Sequence, residues 1–280
     1  MKLTRFAAAL ATAAFMGQAS AALMIDGIAV PTGLVFNTIT LFEGEDLTGP
    51  GNGNFYIDQV GERLLGIGIV NQILDSKNNI VWANGQNGRE LTFVISNYIA
   101  DSFTNTPIGS SFFGNILFSG GQVQLFSQVA GTLQTGALTQ AAAVASATAG
   151  NLWLDLMAST FGGLTGLGNN TTLDVNVISN NPNPFIQSTN VTGRGFLDVA
   201  GGLAGANFDT NTKGRPGDDA DLTFTSSGQL LAPGNAGPWG FRGTGEVEAF
   251  TVPVPGSLAL AGLGLLALGG ASRLRRGKSS

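Results

Sequence analysis

Glu246 and Glu248 stand two residues apart in a run, Glu246 to Val252, that reads as a β-strand, so both carboxylates face one side about 7 Å apart. Two carboxylates are the minimum equipment of a glycoside hydrolase, but a catalytic pair must flank the scissile bond rather than line one strand. The competing reading is a polar outer face, which alternation produces in any half-buried strand. Oxygen donors suited to calcium occur at Glu43, Glu45 and Asp46 and again at Asp218, Asp219 and Asp221. Asp209 to Gly214 opens like an EF-hand loop, but Lys213 and Ala220 stand where ligands are required. Solvated turns, or ion pairs with Lys213 and Arg215, account for the same residues. Trp82, Trp153 and Trp239, in a chain rich in Asn and Gln, would supply stacking faces for a sugar.

The missing residue types narrow the chemistry further. There is no cysteine and no histidine. That removes thiol nucleophiles, thiolate metal sites, disulfides, the commonest zinc ligand and every Ser-His-Asp or Cys-His arrangement. No cofactor is expected, and no catalytic residue is assigned.

The elements that would position these groups read as strands and turns. Met24 to Val30, Gly33 to Phe42, Leu64 to Ile73 and Asn79 to Trp82 are extended runs, with the loop Glu43 to Asn54 between the second and third. Trp82 to Gly88 holds two Asn-Gly pairs and predicts a hairpin turn. In Glu90 to Ala100, Leu91, Phe93 and Ile95 alternate with Thr92, Val94 and Ser96. Ser111 to Ser119 and Gln122 to Val129 read as a pair turning at Gly120-Gly121. The Ala-rich stretch Leu138 to Ala149 reads as one short surface helix or a loop. Asn151 to Ser159 places Leu152, Leu154 and Leu156 opposite Trp153, Asp155 and Met157. Thr172 to Ile178, Gly195 to Ala200 and Asp221 to Thr225 complete the strands. Strands this frequent predict an all-β fold, an antiparallel β-sandwich or jelly-roll-like body over residues 22–251.

Both ends of the chain carry addresses. Lys2 and Arg5 precede the apolar, Ala-rich run Phe6 to Met16, and Ala19-Ser20-Ala21 fits a small-x-small cleavage site, so residues 1–21 read as a secretory signal peptide. At the other end, Pro253-Val254-Pro255-Gly256-Ser257 leads into the apolar run Leu258 to Ala271, read as a hydrophobic helix and closed by a basic stop at Arg273, Arg275, Arg276 and Lys278. Its interior glycines at 262, 264, 269 and 270 suit a membrane segment better than a water-soluble helix. With the basic clusters kept in the cytoplasm, the body lies outside it.

This arrangement over residues 252–280 resembles the PEP-CTERM sorting tail, a Pro-Glu-Pro box before a membrane segment and an Arg cluster. Val254 stands in place of the usual Glu. The resemblance implies processing near the box by an exosortase, a membrane protease, after transient residence in the inner membrane. It also implies a setting of exopolysaccharide and biofilm at the cell surface or in the matrix. The 18 acidic residues all fall between the two addresses, against seven basic ones, leaving the body near −11. Such a surface repels nucleic acid. The expectation is a non-enzymatic exported surface or matrix protein. A polysaccharide-binding module and a carboxylate-dependent hydrolase stand as alternatives.

Overall fold

The computed structural model describes residues 22–162, 167–186, 188, 190–215, 218–231 and 235–252. Ala19, Ala21, Pro253, Val254, Pro255, Gly256, Arg273, Arg275 and Arg276 lie outside the described residues.

The body is all-β and antiparallel, but its main sheet closes on itself as an eight-strand barrel rather than opening into a sandwich or jelly roll. From β3 (Gly33–Glu45) the staves run through β4 (Arg63–Leu74), β6 (Arg89–Ile108), β7 (Ser111–Val129), β8 (Asn151–Ser159), β10 (Asn190–Gly201), β13 (Leu222–Leu230) and β15 (Phe241–Thr251), which returns to β3. The short strand β9 (Leu173–Ser179) continues the stave of β8, because both bridge β7 and β10, one above the other. Closure depends on the register between β10 and β13, Val191↔Gly228 through Leu197↔Leu222. Closing the sheet removes the free edges that a sandwich would leave.

Two strands expected as a pair are one. Gly120 and Gly121 adopt positive φ (66° and 114°), yet β7 passes through them without reversing. They kink the strand where a Cβ on Gly121 would lie 2.3 Å from the Tyr98 ring. Shifts in register, between Ala100 and Ser102 of β6 for example, give the long staves the curvature a barrel needs. Inside, Gly68 of β4 lies opposite Phe93 of β6, and the ring covers the bare backbone, since a Cβ there would meet Phe93 Cζ at 2.1 Å.

The Asn-Gly hairpin also differs. Asn84 to Gly88 has the predicted positive φ at Gly85, Asn87 and Gly88, but links β5 (Ile80–Ala83) to β6, which follow one another along the same edge of β4. The reversal lies earlier, at Asp75 to Asn79. There the Asp75 carboxylate accepts from the N–H groups of Lys77 and Asn79 and from the Asn79 side chain. Met24 to Val30, expected as one strand, is a hairpin of β1 (Leu23–Ile25) and β2 (Ile28–Val30), turned by Asp26 (φ 48°) and Gly27 (φ 82°). Asp-Gly is itself a strong hairpin pair.

We call the end where Gly33 pairs with Thr251 the lower end, and that where Glu43 pairs with Phe241 the upper. The β1–β2 hairpin plugs the lower end. Ile28, Ala29 and Val30 are buried, and the turn is held by Arg89 and Asn151 on the Asp26 carboxylate, Ser127 on the Asp26 carbonyl and Trp153 Nε1 on the Ile25 carbonyl at 3.1 Å. The upper end is closed by Tyr56, whose hydroxyl donates to the Leu231 carbonyl at 2.6 Å, and by Phe185, edge-on to Phe103.

The Ala-rich stretch forms helix α1 (Gln140–Ala147), capped by the Thr139 hydroxyl accepting from the Ala142 N–H. It is a surface helix with one buried face, for Ala141, Ala142 and Ala145 are exposed while Ala143 and Ala147 are fully buried on the outer wall against Ile67, Val94 and Trp239. Small residues on one face let it lie close to the sheet, and Thr92 ties its end down by donating to the Ala147 carbonyl at 2.7 Å. A second helix, α2 (Gly205–Phe208), follows β10, and the small hairpin β11 (Lys213–Arg215) and β12 (Asp218–Ala220) precedes β13. The strand β14 (Asn235–Pro238) leads to β15.

Candidate functional site

The alternation of β3 turns Asn37, Ile39 and Glu43 into the barrel, where Glu43 lines two internal cavities. The lower cavity offers about 40 Å³ to the centres of water-sized molecules, bounded by Asn37, Phe93, Tyr98, Trp153 and Phe208 among others. The upper one offers about 60 Å³, bounded by Tyr56, Phe118, Phe185 and Phe241. Burial raises the Glu43 pKa to about 8, and what surface the side chain keeps faces these cavities. Burial also raises the Tyr98 phenol, with the Glu43 charge adding to the shift. Asn37 Oδ1 is buried with no hydrogen-bond partner.

A carboxylic acid kept neutral at pH 7 is what general-acid chemistry requires. The two cavities around Glu43 nonetheless admit only a few water molecules each, at roughly 10–15 Å³ apiece, and both ends are plugged. A second concavity, open and polar, lies at the upper end. It offers about 600 Å³ and is lined by Ile178, Ser179, Asn180, Asn181, Ser188 and Asn190. The loop beside it is a series of turns, with Asn181 Oδ1 accepting from the Asn183 N–H and Asn183 Oδ1 from the Phe185 N–H. No family model, curated protein or solved structure matches this chain.

The residues singled out in the sequence go to separate places. Glu246 is exposed on the outer wall, and Glu248 pairs with the buried Lys213 at 2.5 Å, where the ammonium also sits 4.8 Å over the Phe250 ring. They belong to a polar outer face, where Glu246 stands between Thr225 and Thr38 and Glu248 between Thr223 and Phe36 of the neighbouring strands. Glu43, Glu45 and Asp46 diverge. Glu43 enters the barrel, Glu45 accepts from the Gly53 and Asn54 N–H groups, and Asp46 accepts from Thr48. Among the described residues no group of three acidic side chains converges to hold a metal ion. Asp221 is buried and satisfies the N–H groups of Val199, Thr210 and Asn211, stapling the loop that looked like an EF-hand. Trp82, Trp153 and Trp239 are at most 1% exposed, which corrects the stacking platform. Trp153 fills the barrel interior, whereas Trp239 is buried on the outer wall beneath α1.

Sequence reasoning passed over Glu90. Its buried carboxylate accepts from the Gly131, Thr132 and Leu133 N–H groups and from Gln128 Nε2, all within 2.7–3.0 Å. The charge on a strand otherwise read as core-facing was the available signal, since a buried carboxylate needs several donors.

Proposed function

We propose that this is a non-enzymatic exported protein of the cell surface or extracellular matrix, associated with exopolysaccharide and sorted through its C-terminal tail by an exosortase-like protease. The observation that carries the proposal is that both ends of the described body leave the barrel at the same place. The hairpin β1–β2 plugs the lower end, and β15 finishes there, with the Thr251 hydroxyl donating to the Pro31 carbonyl at 2.6 Å and the Val252 N–H to the Asn207 carbonyl at 3.0 Å. The two addresses read from the sequence therefore attach on one side, and the opposite end is displayed. A filled, plugged barrel suits a rigid display scaffold.

Intact-mass analysis of the protein from each fraction of its native cells, with both termini mapped, tests this. Export and sorting give a species running from about Ala22 to about Pro255 outside the inner membrane. A species that keeps Arg273 to Lys278 in the inner membrane refutes the matrix assignment.

The open concavity at the upper end favours the second reading, a polysaccharide-binding module. Its amide and hydroxyl lining and its volume, within the 300–1,000 Å³ of small-molecule sites, suit a sugar. Retention of the purified body on the producing cell's own glycan, lost on Asn180→Leu, supports it; no retention removes it.

A further inference from the structure

We infer that, while the chain carries its tail, the lower end of the barrel rests on the lipid surface and the upper end points away from it. This rests on reading Leu258 to Ala271 as a membrane segment. Only residues 253–257 separate that run from Val252, a link that stretches to roughly 20 Å at ~3.5 Å per residue. The 11 residues of β15, tilted as barrel strands are, raise the upper end about 25 Å above Val252, and the upper loops add to that. The link is too short to let the barrel turn over.

Side-on contact within reach of the link would bury the outer wall of β13, β15 and β10, which presents Thr225, Thr244, Glu246, Arg242 and Thr192. Removing those groups from water is costly. The lower end instead exposes Met24, Ile80, Val129, Leu203, Phe250 and Val252, which come from separate turns and strand ends around the mouth. Of the charges beside them, Asp26 is paired with Arg89 and Lys213 with Glu248, while Asp75 beside Ile80 accepts from the Lys77 and Asn79 N–H groups and Asp209 is exposed near Val252. The upper end also exposes Leu47, Val60, Ile108, Ile178 and Ile186, but these lie beyond the reach of the link, and Leu47 and Val60 are close in sequence to Asp46 and Asp58. An anionic leaflet repels those carboxylates.

The absence of cysteine makes the test direct. Single cysteines replace Ile80, Leu203, Thr106, Thr244 or Leu265 in the full chain, each labelled with a nitrobenzoxadiazole maleimide. The proteins are reconstituted into phosphatidylethanolamine/phosphatidylglycerol vesicles with spin-labelled lipid as quencher. The expected result is strong quenching at 265 and at least twofold more quenching at 80 and 203 than at 106 and 244. Quenching at 265 with none in excess at 80 and 203 overturns the orientation alone. No quenching at 265 overturns the membrane reading of the tail, and the orientation with it.

Discussion

The phenol of Tyr98 and the carboxyl of Glu43 share the barrel interior, and the charge that Glu43 takes on when it ionises helps hold the Tyr98 phenol protonated. Among the described residues, neither group has a basic partner to offset that charge. Keeping Glu43 neutral is therefore part of what keeps the barrel folded.

A pH dependence follows. The folded pKa of about 8 lies above the ordinary 4.5, so the folded state holds its proton where the unfolded chain has lost it. The stabilisation is fully present below about 4.5, declines as pH rises and is gone above about 8, with each pH unit between those values removing about 1.4 kcal/mol. Urea unfolding from pH 5 to pH 9 should show this decline, and Glu43→Gln should flatten most of it. Glu62, also raised by burial, leaves a residual slope of the same sign.

Gly68→Ala should destabilise the protein by roughly 1–3 kcal/mol, because its methyl meets the Phe93 ring and the Thr40 carbonyl. Adding Phe93→Leu to the same chain should recover part of the loss. A purely additive double mutant in chemical denaturation would show that the two sites do not press on each other.

Glu90→Ala strands three backbone N–H groups at once and leaves Gln128 Nε2 with only the Ser146 carbonyl, at a cost of about 3 kcal/mol or more. Amide exchange should quicken first at residues 131–133 and along α1, while the far wall at β13 and β15 stays protected. Uniform loss of protection would mean that Glu90 supports the whole barrel rather than this strap.

The two glutamates that resembled a catalytic pair should behave differently as structural residues. Glu246→Gln, on an exposed side chain, should change stability by less than about 0.5 kcal/mol. Glu248→Gln should cost about 3 kcal/mol by leaving the buried Lys213 ammonium without its carboxylate. Thermal unfolding of the two variants side by side decides it.

Local order was legible wherever one residue and its neighbours sufficed. The extended run Asn151 to Ser159 marks β8 to the residue, though a register shift at Trp153 breaks its alternation and brings Trp153 into the barrel beside Leu154 and Leu156, and Leu173, Val175 and Val177 do face inward as their spacing requires. The positive φ angles at Gly85 and Gly88 follow from the absence of a side chain. Other strands were placed but cut short. Gly195 to Ala200 captures half of β10, because Asn190 to Arg194 is polar on one side and lacks the apolar signal.

What the sequence by itself determined was the all-β, antiparallel class, most strand positions and the lack of thiol and imidazole chemistry, since these depend on residue type and on period. Closure belonged to the tertiary structure. A barrel and a sandwich share the same alternating strands, and they differ only in whether β10 meets β13, a contact between segments some 30 residues apart along the chain. The fate of the carboxylates was decided the same way. Glu43, Glu45, Glu90 and Asp221 are alike as letters, but each took its character from distant backbone N–H groups, or from their absence, once the barrel had formed.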